Sequence, residues 1–255
     1  MSARAHGWWT ALGLLFQTVV GGGAAGAPWD EMDYGPFLTA SIQGPGPVTN
    51  IAYKGIAVNL GRAAGSAANE AVVFDTDLLR YAFAWTGSFV ALKGVVYDGE
   101  HWAYPRAAGS AVYTNPAGPG WASPEGGFAD PRPRPYGPLP RRWGEWRGLH
   151  LHGDRVVLSY RVGDMAVLEE PALERRDGIT AFVRSIDRGA SSTPQGLQVL
   201  QEAGWEAGVE ALRMPGVVVE AGTPARDAMV VLRARDGDDV LAVVVRGGRG
   251  QATWR

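Results

Sequence analysis

The sequence predicts an all-β protein built as a sandwich of two antiparallel sheets with one long Pro/Gly-rich loop. Three observations support this prediction. The 255 residues include 36 glycines, 17 prolines and 10 tryptophans, a composition typical of turn-rich β domains rather than helix bundles. Short runs alternate between apolar and polar residues, which is the period of a half-buried strand. Gly-Asp turn signals separate several of these runs, so consecutive strands should pair antiparallel. A partial β-propeller is the alternative architecture.

Residues 1–27 are predicted to be a signal peptide. A weakly basic start precedes an apolar run and a tail of small residues, the order found in secretory signals. The apolar run is too short to span a bilayer comfortably. We therefore expect an exported protein, periplasmic or extracellular, with no stable membrane span after cleavage.

Charge and cysteine content exclude several classes of function. The formal net charge is -2, with acids and bases interspersed, so no general field attracts nucleic acid. The chain contains no cysteine. Disulfides, thiolate metal sites and a c-type haem attachment are therefore excluded from this chain.

Residues 28–255 are expected to form a single all-β domain. Residues 37–42 and 50–60 alternate as strands, with Gly55 marking a bulge. The run 73–87, VFDTDLLRYAFAWTG, predicts two strands that meet at an acidic corner and are buried on both faces. Its last residues, Thr86 and Gly87, predict a turn before the next strand.

Residues 103–142 differ from the rest of the chain. They are rich in proline and glycine and show almost no periodicity. Proline removes donors from a strand ladder, so this segment is predicted to be a long surface loop held down by its aromatic side chains. It is also the place where the domain would divide if it consists of two lobes, 28–102 and 143–255.

Residues 143–170 contain the clearest β-meander. Gly153-Asp154 and Gly163-Asp164 are two-residue turn signals between alternating runs. In the middle strand Val156, Leu158 and Tyr160 should face the same side. Further strands are predicted over 179–186, 228–235 and 240–246.

The acidic corner is the first candidate site. Asp75 and Asp77 lie two residues apart, which places both carboxylates on one face of a strand or allows them to close around Ca²⁺ in a loop. The alternative is a structural role, in which the carboxylates cap backbone N–H groups at the start of the next segment.

A second candidate is a metal site. His150 and His152 share one face if they lie on a strand, and such a pair is a familiar start for a divalent metal site. A further ligand would have to come from a carboxylate such as Asp154 or Glu145. The alternative is that both histidines are simply exposed on a hairpin.

A third candidate is a carbohydrate-binding surface. Trp143 and Trp146 supply aromatic faces that can cover the C–H surface of a sugar ring, while neighbouring polar groups bind its hydroxyls. The alternative is that these tryptophans are packing anchors.

Four segments together resemble a known family. They read MDYGPFLTASI, NIAYKGIAVNLG, VFDTDLLRYAFAWTG and RRWGEWRGLHLHGDRVVLSYRVGDMAVLE, and they are similar to the domain of unknown function 6797 family. The resemblance covers residues 29–187. It implies the N-terminal domain of a large exported bacterial protein that continues into a sorbosone or glucose dehydrogenase-like propeller and a c-type cytochrome segment. It brings no catalytic residues to this chain.

These observations lead to two functional hypotheses. The first is an exported accessory or binding domain, for carbohydrate, within a larger oxidoreductase-like protein whose downstream propeller and cytochrome domains are its partners. The second is an enzyme of sugar or polyol oxidation whose active site includes Asp75 and Asp77.

Overall fold

The computed structural model describes residues 29, 32–66, 69–134, 136–176, 179–193, 195–200, 206–208, 228–236 and 239–246. The predicted signal peptide lies outside these residues. Within them, no helix is both long enough and apolar enough to cross a membrane.

The first sheet contains five strands in chain order. They are β1 (Phe37–Gln43), β2 (Ile51–Asn59), β3 (Asn69–Asp75), β4 (Arg80–Ala91) and β5 (Arg106–Thr114), with the short helix α1 (Leu60–Ala63) between β2 and β3. Successive strands pair antiparallel. One parallel pair, Gln43 with Arg106, joins β1 to β5 and closes the sheet into a barrel.

The second sheet is larger and open. It contains β6 (Gly144–His152), β7 (Arg155–Val162), β8 (Met165–Arg176), β9 (Ile179–Arg188), β10 (Glu206–Gly208), β11 (Ala228–Asp236) and β12 (Asp239–Arg246). Their order is β10-β12-β11-β9-β8-β7-β6, and β9 with β11 is a parallel pair. The predicted class, an all-β fold with two packed sheets, is confirmed.

Burial on both faces of β3 and β4 explains why their sequences are almost continuously apolar. Val72 and Phe74 face a core that also contains residues of the second sheet. Ala71 and Val73, which alternate with them, belong to a core whose described members all come from the barrel strands. The prediction of a buried strand pair is confirmed, and small residues such as alanine suit the narrow interior of a five-stranded barrel.

The predicted meander is also confirmed. β6, β7 and β8 are antiparallel neighbours. In β7 the side chains of Val156, Leu158 and Tyr160 are buried, whereas the residues between them are only partly covered. The period of two in the sequence therefore identified the core face of this strand correctly.

Two local predictions were wrong. Residues 106–114 form β5 instead of a loop, because this part of the Pro/Gly-rich segment contains no proline and its backbone donors remain available for pairing with β4. Gly87 does not end a strand but lies inside β4. A Cβ atom on its partner Gly109 would lie 2.0 Å from the Thr86 carbonyl oxygen, so glycine permits the close approach of the two strands.

The bulge predicted at Gly55 lies immediately before that residue. Ala40 pairs with Gly55 and Ile42 pairs with Ala52, so Ser41 alone faces two residues of β2, Tyr53 and Lys54. A bulge of this kind bends the strand and changes the direction of its side chains.

Candidate functional site

The acidic corner between β3 and β4 is buried and held from several sides. Asp75 and Asp77 are 3% and 4% exposed. The Asp77 backbone N–H donates to Asp75 Oδ1 over 3.1 Å, so the Asp75 carboxylate caps a backbone N–H group at the start of the next segment. Asp77 Oδ2 accepts from the Gly137 N–H at 3.2 Å, and Asp77 Oδ1 lies 3.6 Å from Lys54 Nζ. Both carboxylates are therefore fixed in position.

Arg80, the first residue of β4, is the central cation of the site. It is 2% exposed and lies 3.6 Å from the Asp75 carboxylate. Its Nη1 donates to the carbonyl oxygens of Asn115 and Pro116 at 3.1 and 2.8 Å. Its Nη2 donates to Asn50 Oδ1 at 3.0 Å. The guanidinium therefore connects the corner to the β1–β2 turn and to the end of β5.

Arg80 Nε is buried and has no hydrogen-bond partner among the residues that the structure describes. A buried donor without a partner is costly, and such groups call for an explanation. The hydrogen bonds made by the Nη1 and Nη2 atoms of the same guanidinium offset part of this cost.

The backbone just before Arg80 is strained. Leu79 has a φ of 50°, a left-handed conformation that costs a non-glycine residue on the order of 1–2 kcal/mol. Its side chain is 1% exposed, so core packing holds it in place. Strain of this type concentrates at functional sites, and here it occurs at the residue that directs β4 away from the corner.

A second ion pair comes from the Pro/Gly-rich segment. Arg132 Nε and Nη2 donate to the Asp130 carboxylate, each over 2.9 Å. Arg132 Nη1 also donates to the Gly137 carbonyl oxygen at 2.7 Å. This two-pronged contact is a strong and directional type of ion pair, and it fixes both side chains beside the corner.

These groups surround a cavity of about 730 Å³, which lies within the size range of small-molecule sites. The β1–β2 turn, the corner, the end of β5 and the Pro/Gly-rich segment all contribute to its wall. Its polar and aromatic lining includes Asn50, Tyr53, Asp75, Arg80, Asp130 and Arg132.

Burial and pairing control the ionisation of the cavity. Burial raises the pKa of Asp75, and the nearby Arg80 charge opposes this effect. Burial lowers the pKa of Arg80, while Asp75 opposes that change. For Asp130, burial raises the pKa, but the hydrogen bonds from Arg132 outweigh it and hold the pKa below its ordinary value.

The two tryptophans predicted to bind sugars have different environments. Trp143 is 5% exposed and packs with Leu78 and Leu139. Its Nε1 donates to the Trp121 carbonyl oxygen at 3.0 Å, so this residue fills the packing role that was its alternative. Trp146 on β6 is only partly buried, and it lines a second cavity that also contains Thr76 of the corner.

The two histidines lie on the exposed end of β6. His150 pairs with Val157 and His152 with Arg155 across the β6–β7 ladder, and both side chains are exposed. Within the described parts of the chain, no three His, Asp or Glu side chains come together in a group able to hold a metal ion. Among the residues that the structure describes, no third ligand therefore accompanies this pair, and no such group forms at the corner.

Sequence reasoning found the acids of the site but missed its cations and amides. Arg80 carried a usable signal, since it is the one charged residue in the apolar run LLRYAFAW and a buried charge needs a partner. Asn50 and Arg132 carried none. They reach the site only through contacts made across the fold.

The comparisons with known proteins give one match. Residues 72–169 match the family model of a domain of unknown function, DUF6797. The matched range begins in β3 and ends in β8, and it includes Asp75, Arg80 and Arg132 but not the β1–β2 turn. The match supports the identity of this domain. No curated protein and no solved structure matches the chain significantly.

Proposed function

We propose that the chain is an exported, non-catalytic binding domain whose barrel-end cavity takes a neutral saccharide. The observation that supports this most directly is the charge balance of the cavity. The two acids of its lining, Asp75 and Asp130, are matched by two cations of the lining, Arg80 and Arg132, and each acid lies in an ion pair with one of them. A ligand with a net charge would lose its hydration without meeting an unpaired opposite charge.

The cavity has polar groups suited to hydroxyls. Carboxylates accept and guanidinium groups donate hydrogen bonds, and a sugar ring presents both kinds of partner on neighbouring carbons. The Asn50 side chain is fixed by a hydrogen bond in which its Nδ2 donates to the Asn115 carbonyl oxygen at 2.5 Å. These groups keep their positions without a ligand, which lowers the entropy cost of binding.

Aromatic rings flank the polar groups. Tyr53 lines the cavity, and its ring centroid lies 5.4 Å from that of Tyr136 and 6.4 Å from that of Tyr104. Tyr136 is 55% exposed. Aromatic surface beside fixed polar groups is the combination that covers the apolar face of a sugar while its hydroxyls are bound.

In the larger protein implied by the family resemblance, this domain would precede a dehydrogenase-like propeller and a cytochrome segment. A saccharide-binding domain in that position would hold substrate close to the catalytic part. The proposal therefore places the chain as an accessory to oxidation, exported to the periplasm or the cell surface.

Calorimetric titration of residues 28–255 with a panel of sugars tests the proposal. Neutral sugars should bind more tightly than uronic acids and amino sugars of the same size. Tyr53→Ala should weaken binding about tenfold, the effect of losing roughly 1.4 kcal/mol of ring contact. Trp102→Ala is the matched control, because Trp102 is 95% exposed and is not among the residues lining the cavity. No binding of any sugar would refute the proposal.

A second candidate, the oxidation of a sugar or polyol, is favoured by one observation. Burial raises the pKa of Asp75, and carboxyl groups with raised pKa values are common among catalytic acids and bases. Sugar-dependent reduction of an electron-accepting dye by the purified chain, abolished by Asp75→Asn, would support this candidate over the binding domain.

A further inference from the structure

The bulged part of β2 contributes to the walls of both the large cavity and a second one. The second cavity has a volume of about 340 Å³, and Tyr53 lines both. Its wall also includes hydroxyl groups of β1, Lys54 and Trp146. Its volume lies at the lower end of the range for small-molecule sites. Tyr53 is the one residue common to the described linings of the two cavities.

The bulge explains why Tyr53 and Lys54 both contribute to the second cavity. In a regular strand, neighbouring side chains point to opposite faces. Here Ser41 faces both residues, and the alternation is interrupted at this point. Ser41 Oγ donates to the Tyr53 carbonyl oxygen at 2.8 Å, and Thr76 Oγ1 donates to the Lys54 carbonyl oxygen at 3.0 Å. The bulge is thus held on both sides.

Trp146 gives the second cavity an aromatic wall. Its ring centroid lies 5.8 Å from that of Phe74, with a tilt of 42° between the rings, so the core supports the indole from one side. The remainder of this partly buried side chain lines the cavity. A supported indole that still has accessible surface can cover a sugar ring without first becoming ordered.

Polar groups accompany this aromatic wall. The hydroxyl-bearing residues Thr39 and Ser41 belong to the lining. The Lys54 side chain is 65% exposed, and its Nζ lies 3.6 Å from Asp77 Oδ1. Hydroxyls and a paired ammonium group suit the hydroxyls of an uncharged sugar as well as those in the large cavity do.

We propose that the two cavities are consecutive subsites for one neutral oligosaccharide, with Tyr53 between them and Trp146 as the aromatic platform of the second subsite. This inference rests on the proposed function and specifies its ligand class as a chain of at least two sugar residues. A monosaccharide occupies the large cavity, and each longer chain also reaches Trp146.

Titration with a series of neutral oligosaccharides of increasing length tests this inference. Affinity should rise about tenfold from the monosaccharide to the shortest chain that reaches the second cavity, which is the gain expected from one aromatic platform. Trp146→Ala should remove this rise and leave the affinity for the monosaccharide unchanged. Trp146→Phe should retain part of it.

Lys54→Ala tests the second cavity independently, in case the Trp146→Ala variant does not fold. Lys54 is largely exposed, and its truncation should reduce the length-dependent gain severalfold while the thermal midpoint stays close to that of the parent. His150→Ala, an exposed change on the same strand as Trp146, is the matched control and should leave the gain intact.

The outcomes separate the two proposals. Failure of every sugar to bind refutes the proposed function. Binding with the same affinity at every chain length overturns the two-subsite inference and leaves the proposed function standing. A length-dependent gain that survives both Trp146→Ala and Lys54→Ala also overturns the inference, because the additional contacts would then lie elsewhere.

Discussion

Replacing Arg80 with methionine should destabilise the protein strongly, and by an amount that depends on Asp75. Methionine keeps an unbranched chain of similar length but removes the charge and all the hydrogen-bond donors. Arg80 is 2% exposed and lies 3.6 Å from Asp75. Removing one partner of a buried ion pair costs on the order of 3–5 kcal/mol, because the other charge remains buried without compensation.

We expect the loss of stability in Arg80→Met to lie towards the middle of this range of about 3–5 kcal/mol. The loss of three charge-assisted hydrogen bonds, to Asn50, Asn115 and Pro116, adds to the cost. The adjoining cavity reduces it, because water can enter and solvate the released acceptors. We expect the free energy of unfolding to fall by about 4 kcal/mol near pH 8.

The loss of stability caused by Arg80→Met should be smaller at low pH. The folded-state pKa of Asp75 is raised above its ordinary value of 3.8, chiefly by burial. A raised folded-state pKa means that this group favours folding below the unfolded pKa, and that the benefit is lost as the pH rises through the folded-state pKa. Removing Arg80, whose charge lowers that pKa, raises it further. Arg80→Met should therefore cost less at pH 4.5 than at pH 8.

Urea unfolding followed by circular dichroism measures these differences. Asp75→Asn is the matched background, since it removes the carboxylate charge while keeping the shape. In that background Arg80→Met should cost less than alone, with a coupling of roughly 1–3 kcal/mol. An equal cost in both backgrounds, together with no change between pH 4.5 and pH 8, would show that the Asp75–Arg80 pair is not coupled.

Three further substitutions test other parts of the structure by unfolding. Gly120→Ala should lower the free energy of unfolding by about 2 kcal/mol, because the added Cβ would lie 2.2 Å from a backbone oxygen. Gly118→Ala is the control and should be tolerated, because its Cβ would lie 3.6 Å from the nearest atom. Equal effects of the two substitutions would contradict this argument. Arg184→Met should lower the free energy of unfolding by about 3–5 kcal/mol, because it leaves the fully buried Glu169 carboxylate without its cation. Adding Glu169→Leu should restore most of this loss of stability, and no recovery would show that the two residues are not coupled. Trp102→Asn should stabilise by up to about 1 kcal/mol, because Trp102 has a φ of 65° that asparagine tolerates; lower stability would refute the argument.

The parts of the fold that could be predicted from sequence are those whose structure is determined by residues close together in the chain. The β6–β8 meander follows from turn signals and an alternation of period two, both contained within about 30 residues. β3 and β4 were recognised because burial on both faces leaves little room for polar residues. In each case, neighbouring residues contain enough information to define the strand.

The missed features depend on contacts between distant residues. β5 contains three alanines and one glycine among its nine residues, and its strand form is explained by its pairing with β4 across Gly87 and Gly109. The site is similar. Asn50 and Asn115 are 65 positions apart and are joined by one hydrogen bond. No pattern within either segment indicates that partner. The acids could therefore be identified from sequence, and Arg80 could be inferred from its place in an apolar run, whereas Asn50 and Arg132 could not.

The closure of the barrel has a consequence for access to the large cavity. β1 and β5 are joined at Gln43, by its pairing with Arg106 and a hydrogen bond from its N–H to the Pro105 carbonyl oxygen. So short a seam offers less resistance to local opening than the long ladders of β3 and β4. The turn that follows β1 contributes Pro47 and Val48 to the wall of the cavity, whereas Asp75 and Arg80, on the same wall, are held by buried contacts. We therefore expect the wall of the cavity to open locally at this seam before it opens at the buried ion pairs.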